Sequence, residues 1–144
     1  SDWSSDVCSS DLGTALRKFQ EVTAAQGGDP EALEDYAKLP GAARSEQVQA
    51  EASGIVQRIQ AEEVGICAML LGAGRARVDD ELDYGAGLIL HRKVGDQIER
   101  GAPLATLYFN DARNLAEARS RLLAAFTLGD EAPPENPLIK QILD

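Results

Sequence analysis

Ala52-Ser53-Gly54-Ile55-Val56 and Val94-Gly95-Asp96-Gln97-Ile98-Glu99-Arg100-Gly101-Ala102-Pro103-Leu104 are the two stretches on which the fold turns. Each sets a glycine where the backbone must turn tightly, beside the β-branched residues that fill a small core. Outward from the first, Gly54-Ile55-Val56-Gln57-Arg58-Ile59 reads as a strand and 47–50 alternates weakly as another. Residues 61–71 turn helical, with Glu62 and Glu63 in the first turn, where the helix dipole favours anions. Past that turn the helix is apolar on all sides, which predicts burial between layers. Gly72-Ala73-Gly74 stops it and opens a loop over 75–84. Residues 87–92 and 103–109 read as strands, with a Gly-containing turn over 94–97. A last helix over 114–128 takes Asn114 as cap, sets Leu115, Ala118, Leu122 and Phe126 on one face, and is closed by Gly129. Towards the N-terminus, 14–26 carries Leu16, Phe19 and Val22 at helical spacing, with Thr14 as N-cap and Gly27-Gly28 as stop. A connector over 29–45, holding Pro30, Pro40 and Gly41, leaves room for one or two helical turns.

The paired glycine stretches resemble the two halves of the barrel-sandwich domains that carry biotin or lipoate. The expected fold class is therefore α+β: a small barrel-sandwich-like β lobe flanked by helices. The expected organisation is a foreign stretch over 1–12, a helix and connector over 13–45, the lobe over 46–128 and a Pro-rich tail over 129–144. Carrier domains present a modified lysine at a hairpin tip between the halves, and from Gly54 to Leu90 this chain has no lysine. The likeness is architectural. A free-standing barrel-sandwich binding module without that lysine, and a plain interaction domain, stay as alternative readings.

Composition narrows the field. Of 144 residues 44% are hydrophobic, enough for a packed core, so disorder of the whole is excluded. The formal net charge of -10, with no clustering of basic residues, argues against nucleic acid and anionic membranes as partners. The longest apolar run, 64–71, is far short of the ~20 residues of a membrane span. Two cysteines, Cys8 and Cys67, make no disulfide framework and no secretory signal is visible, so a reducing cytoplasm is expected. Residues 2–12 resemble the in-frame translation of a short-read sequencing adapter, which predicts that 1–12, Trp3 included, packs poorly.

Few residues nominate chemistry. Leu71-Gly72-Ala73-Gly74-Arg75-Ala76-Arg77 follows a helix, lacks the third glycine of the dinucleotide fingerprint and lacks the ending of a P-loop, so a helix stop explains its glycines. His91, the one histidine, has no nominated nucleophile or orienting partner and reads as a strand-end side chain. Cys67, inside an apolar helix, reads as a small buried hydrophobe. The acids Asp79, Asp80, Glu81 and Asp83 lack the spacing of a calcium loop, and no metal is expected there.

A wider resemblance covers 13–143. Its residues are, in order, Gly13-Thr14-Ala15-Leu16-Arg17-Lys18-Phe19, Gln26-Gly27-Gly28-Asp29, Ser53-Gly54, Gly65 through Leu71-Gly72-Ala73-Gly74-Arg75, Asp80-Glu81-Leu82-Asp83, Val94-Gly95-Asp96, Gly101-Ala102-Pro103-Leu104-Ala105-Thr106-Leu107 and the closing Pro133-Pro134 with Pro137-Leu138-Ile139. This order is similar to the C-terminal part of pyrimidine-nucleoside and thymidine phosphorylases. The resemblance implies a fragment of a larger α/β enzyme that cleaves pyrimidine nucleosides with inorganic phosphate as co-substrate, without a cofactor. It also implies that the catalytic and substrate-binding residues lie upstream, that the partners are the missing N-terminal domains, and that the parent is a homodimer. No catalytic residue is carried over, and the fragment alone is expected to be inactive. The loop bearing Gly72, Gly74, Arg75 and Asp83 is expected to approach the parent's cleft, with Arg75 anchoring it.

Overall fold

In the computed structural model, which describes residues 13–75 and 78–134, internal contacts divide the chain into one unit ending at Pro40 and another beginning at Gly41. The expectation of poor packing for 1–12, and the end of the Pro-rich tail, lie outside the described residues.

In the first unit helix α1 spans Thr14–Ala25. Its N-cap is Gly13 at φ 70, one residue before the expected Thr14, and the Gly13 carbonyl accepts Arg17 N at 3.0 Å. The stop is as expected. Gly27 takes the left-handed φ of +82, Gly27 N donates to Ala24 O at 3.0 Å, and Gly28 N donates to Thr23 O at 2.9 Å. These two bonds satisfy carbonyls that the ending helix would otherwise strand. No residue of α1 is buried. The connector forms two short 3-10 turns, Pro30–Leu33 and Tyr36–Lys38, opened by the carboxylates of Asp29 and Asp35, which accept Glu31 N at 2.9 Å and Ala37 N at 3.1 Å.

The second unit begins with strands β1 (Arg44–Gln49) and β2 (Gly54–Ile59), followed by helix α2 (Ala61–Ala68), which runs into a π-helical turn at Met69–Ala73. Strands β3 (Gly87–Leu90), β4 (Gln97–Ile98) and β5 (Pro103–Phe109), helix α3 (Leu115–Ala125) and strand β6 (Phe126–Gly129) complete it. Two antiparallel three-stranded sheets result, in the orders β1-β5-β3 and β4-β2-β6.

The two glycine stretches meet. Gly54 pairs with Ile98 across β2 and β4, Arg100 N donates to Ser53 Oγ at 2.9 Å, and Ala50 exchanges backbone bonds with Gly101 (2.8 Å) and Ala102 (2.9 Å). The segment carrying β1 and β2 thus cross-pairs with the segment carrying β4 and β5. A closed barrel is not seen: no strand ladder joins the two sheets among the described residues, and the edge strands β3 and β4 have only four and two residues. What is observed is a mixed α+β lobe. Its core gathers Val48, Val56, Ile98, Leu104 and Leu107 from the strands with Cys67, Leu71, Ala118 and Leu122 from the helices.

Two further expectations change. Helix α2 and its π turn bury only Cys67 and Leu71; Val64, Ile66 and Leu70 are half-buried, although α3 packs along the helix and β3 and β5 also touch the helix or its turn. The last helix ends at Ala125 rather than 128, and 126–129 becomes β6, pairing with β2 from Ile59↔Phe126 to Ile55↔Gly129. Phe126 suits a helical stripe and a strand equally, and the open edge of β2 decides between them.

Candidate functional site

The loop expected to matter leaves α2 through its π turn, and glycine is what lets it do so. Gly72 sits at φ +113, in the left-handed region, and a Cβ there would stand 3.2 Å from Asp83 Cβ. At Gly74 a Cβ would stand 3.1 Å from Met69 Cβ. The outgoing and returning backbones are then joined directly, Asp83 N donating to Gly72 O at 2.9 Å.

Asp83 braces the return. Its Oδ1 accepts Gly85 N at 3.0 Å and its Oδ2 accepts Asn110 Nδ2 at 2.8 Å. Asn110 Oδ1 in turn accepts Ala43 N at 2.7 Å. Arg44 donates to the Asn110 carbonyl and lies over the Phe109 ring, 5.1 Å from its centroid.

Beside the loop is an open cleft of about 410 Å³, lined by Met69, Leu70, Leu71, Gly72, Gly74, Asp80, Glu81, Asp111, Arg113 and Asn114. Asn114 Nδ2 donates to Leu70 O at 3.3 Å and ties the cleft's two walls together. Asn114 gives α3 no side-chain cap, a correction to the sequence expectation. The backbone N–H and guanidinium of Arg113 hold the Asp111 carboxyl below its usual range, with Arg44 adding to the effect. Asp80, Glu81 and Asp111 thus share the cleft lining with the Arg113 guanidinium. Of the residues singled out in the sequence, Gly72, Gly74, Asp80, Glu81 and Asn114 line this cleft, while Asp83 is not in its lining and acts as a brace. Arg75 is exposed and makes no hydrogen bond or ion pair among the described residues. Sequence reasoning passed over Asn110, Asp111 and Arg113. Their only signal was a polar Asn-Asp step ending the alternation of β5.

The other candidates behave as packing elements. Cys67 is fully buried, its Sγ donates to Ala118 O at 3.2 Å, and burial, with Glu63 nearby, pushes the thiol up from 9.0. It is a poor nucleophile. His91 is exposed and its Nε2 lies 2.7 Å from Thr106 Oγ1. Among the described residues no group of three or more His, Cys, Asp and Glu side chains converges to hold a metal, and no helix is long and apolar enough to cross a membrane.

Comparison with known proteins identifies this architecture. Residues 55–129 match the model of the pyrimidine nucleoside phosphorylase C-terminal domain. The pyrimidine-nucleoside phosphorylase of Bacillus subtilis (strain 168) is 44% identical over 120 residues, which are 83% of this chain and 28% of the relative. The thymidine phosphorylase of Mycobacterium tuberculosis (strain ATCC 25618 / H37Rv) is 40% identical over 127 residues, 88% of this chain and 29% of the relative. The pyrimidine-nucleoside phosphorylase of Geobacillus stearothermophilus is 44% identical over 98 residues, 68% and 23% of the two chains. The chain spans less than a third of the length of these curated relatives. On the domain match over 55–129, this chain belongs to the family of pyrimidine nucleoside phosphorylase C-terminal domains.

Proposed function

We propose that this chain is the C-terminal lobe of a longer pyrimidine-nucleoside phosphorylase, in which inorganic phosphate attacks the anomeric carbon of a pyrimidine nucleoside and releases the free base and a pentose 1-phosphate. One observation carries the reading: identity to the Bacillus subtilis enzyme extends over 83% of this chain yet only 28% of that relative. In this reading the cations that neutralise phosphate and the departing base lie upstream, and domain closure brings the bound substrates together. No residue of this chain touches the reacting atoms. The lobe's work is structural, and its finer architecture is a barrel sandwich whose halves are the two cross-paired glycine segments.

The loop 72–83 belongs to the same proposal. It faces the cleft of the longer enzyme, with Gly72 and Gly74 setting its path, Asp83 bracing it, and exposed Arg75 reaching across to anchor it when the cleft closes. No cofactor is invoked. The enzyme works in the cytoplasm as a homodimer that pairs through upstream helices, and neither nucleic acid nor membrane is a partner.

The test is a graft. The chain alone, given thymidine and phosphate, releases no thymine. Joined to the upstream remainder of the Bacillus subtilis enzyme in place of that enzyme's own C-terminal part, it supports phosphorolysis. Thymine from the isolated chain, or a folded graft without activity, sinks the reading. In the active graft Arg75→Ala lowers turnover by about tenfold or more; unchanged turnover and stability remove Arg75 from the anchoring role.

A further inference from the structure

Where the loop 72–83 closes, separate parts of the lobe converge on one side-chain amide. Asn110 directly follows β5; its Nδ2 donates to Asp83 Oδ2 at 2.8 Å and its Oδ1 accepts Ala43 N at 2.7 Å. A carboxylate only accepts and a backbone N–H only donates, so the group between them must offer a donor and an acceptor side by side. A primary amide does so in one orientation; alanine, leucine and an ionised aspartate do not. Both oxygens of Asp83 are engaged, the other by Gly85 N at 3.0 Å. The backbones on either side also touch: a Cβ on Gly85 would fall 2.5 Å from the carbonyl carbon of Gly41. Arg44 fixes the Asn110 backbone from the same side.

We propose that Asn110 is a positioning residue, a latch that holds the base of the loop 72–83 to the segment 41–44 leading into β1, so that the two are ordered or released together. The latch follows from the hydrogen-bond geometry alone; its consequence for catalysis rests on the cleft-facing role proposed above for the loop.

Amide hydrogen exchange on the 144-residue chain tests it. Asn110→Asp sets two carboxylates face to face, and the amides of Asp83 and Gly85 should exchange about tenfold faster. Ala43 should speed up as well, although the introduced carboxylate would still offer its N–H an acceptor. Asp83→Asn leaves one acceptor where two are used and should act alike. The double variant Asp83→Asn with Asn110→Asp moves the amide to the other side of the same bond and should restore protection at all three sites. Amides of β5 such as Leu107 report that each variant is folded. Additive loosening in the double variant, or an unmoved Ala43 in Asn110→Asp, overturns the latch. In the active graft, faster exchange with unchanged turnover leaves the latch standing and removes the loop's cleft role instead.

Discussion

Helices α1 and α3 look alike in sequence and differ in what they bury. Each carries apolar residues at helical spacing, Leu16, Phe19 and Val22 in the first and Leu115, Ala118 and Leu122 in the second. Helix α3 buries Ala118, Leu122 and Ala125 completely, whereas α1 buries nothing and leaves Phe19 57% exposed. Spacing therefore establishes that a helix has an apolar face and says nothing of what lies against it. That cover comes from other parts of the chain: β-strands and α2 supply it for α3, whereas no residue of α1 is buried.

The largest difference should appear on truncation. Leu122→Ala removes a fully buried side chain from a closed core, and the lobe should lose about 3 kcal/mol in urea unfolding followed by far-UV circular dichroism. A loss below about 1 kcal/mol would mean that this core collapses freely around the gap. A smaller contrast comes from enlargement. Ala118 is fully buried and its carbonyl receives the Cys67 thiol, so Ala118→Leu should cost about 2 kcal/mol through overpacking. The same change at exposed Ala24 of α1 should fall within about 0.5 kcal/mol of zero.

The same contrast explains which parts of the molecule were legible in the sequence. Strands β2 and β5 were readable to the residue, because short runs of β-branched residues in β2 and of leucine and aromatic residues in β5, opened by Gly54 and Pro103, carry their own signal. The Gly27-Gly28 stop was readable because left-handed backbone belongs chiefly to glycine. Strand β6 was not, since Phe126 through Gly129 satisfies the end of a helical stripe until β2 offers an edge. The half-open face of α2 was hidden for a related reason: an apolar segment states how much it could bury, not how much this chain covers. In the loop, Gly72 and Gly74 announced the turn, while Asn110 showed only as a polar step after β5. Its role depends on Asp83 and Ala43, which lie 27 and 67 residues away in sequence and meet it only after folding.

The smallest expected effect is also the most informative about α1. In this chain Phe19→Ser trades an exposed ring for a hydroxyl at a site with no buried neighbour in its helix, so stability should change by less than about 0.5 kcal/mol. In the active graft, where upstream sequence is present, the same substitution should cost about 1.5 to 3 kcal/mol if that sequence lies on the Leu16–Phe19–Val22 face, the size expected for uncovering a buried apolar side chain. Equal, negligible effects in both backgrounds would show that the face of α1 stays in solvent even in the longer enzyme. An effect in the isolated chain as large as that of Leu122→Ala would break the comparison at its root, because α1 would then have a cover within these 144 residues.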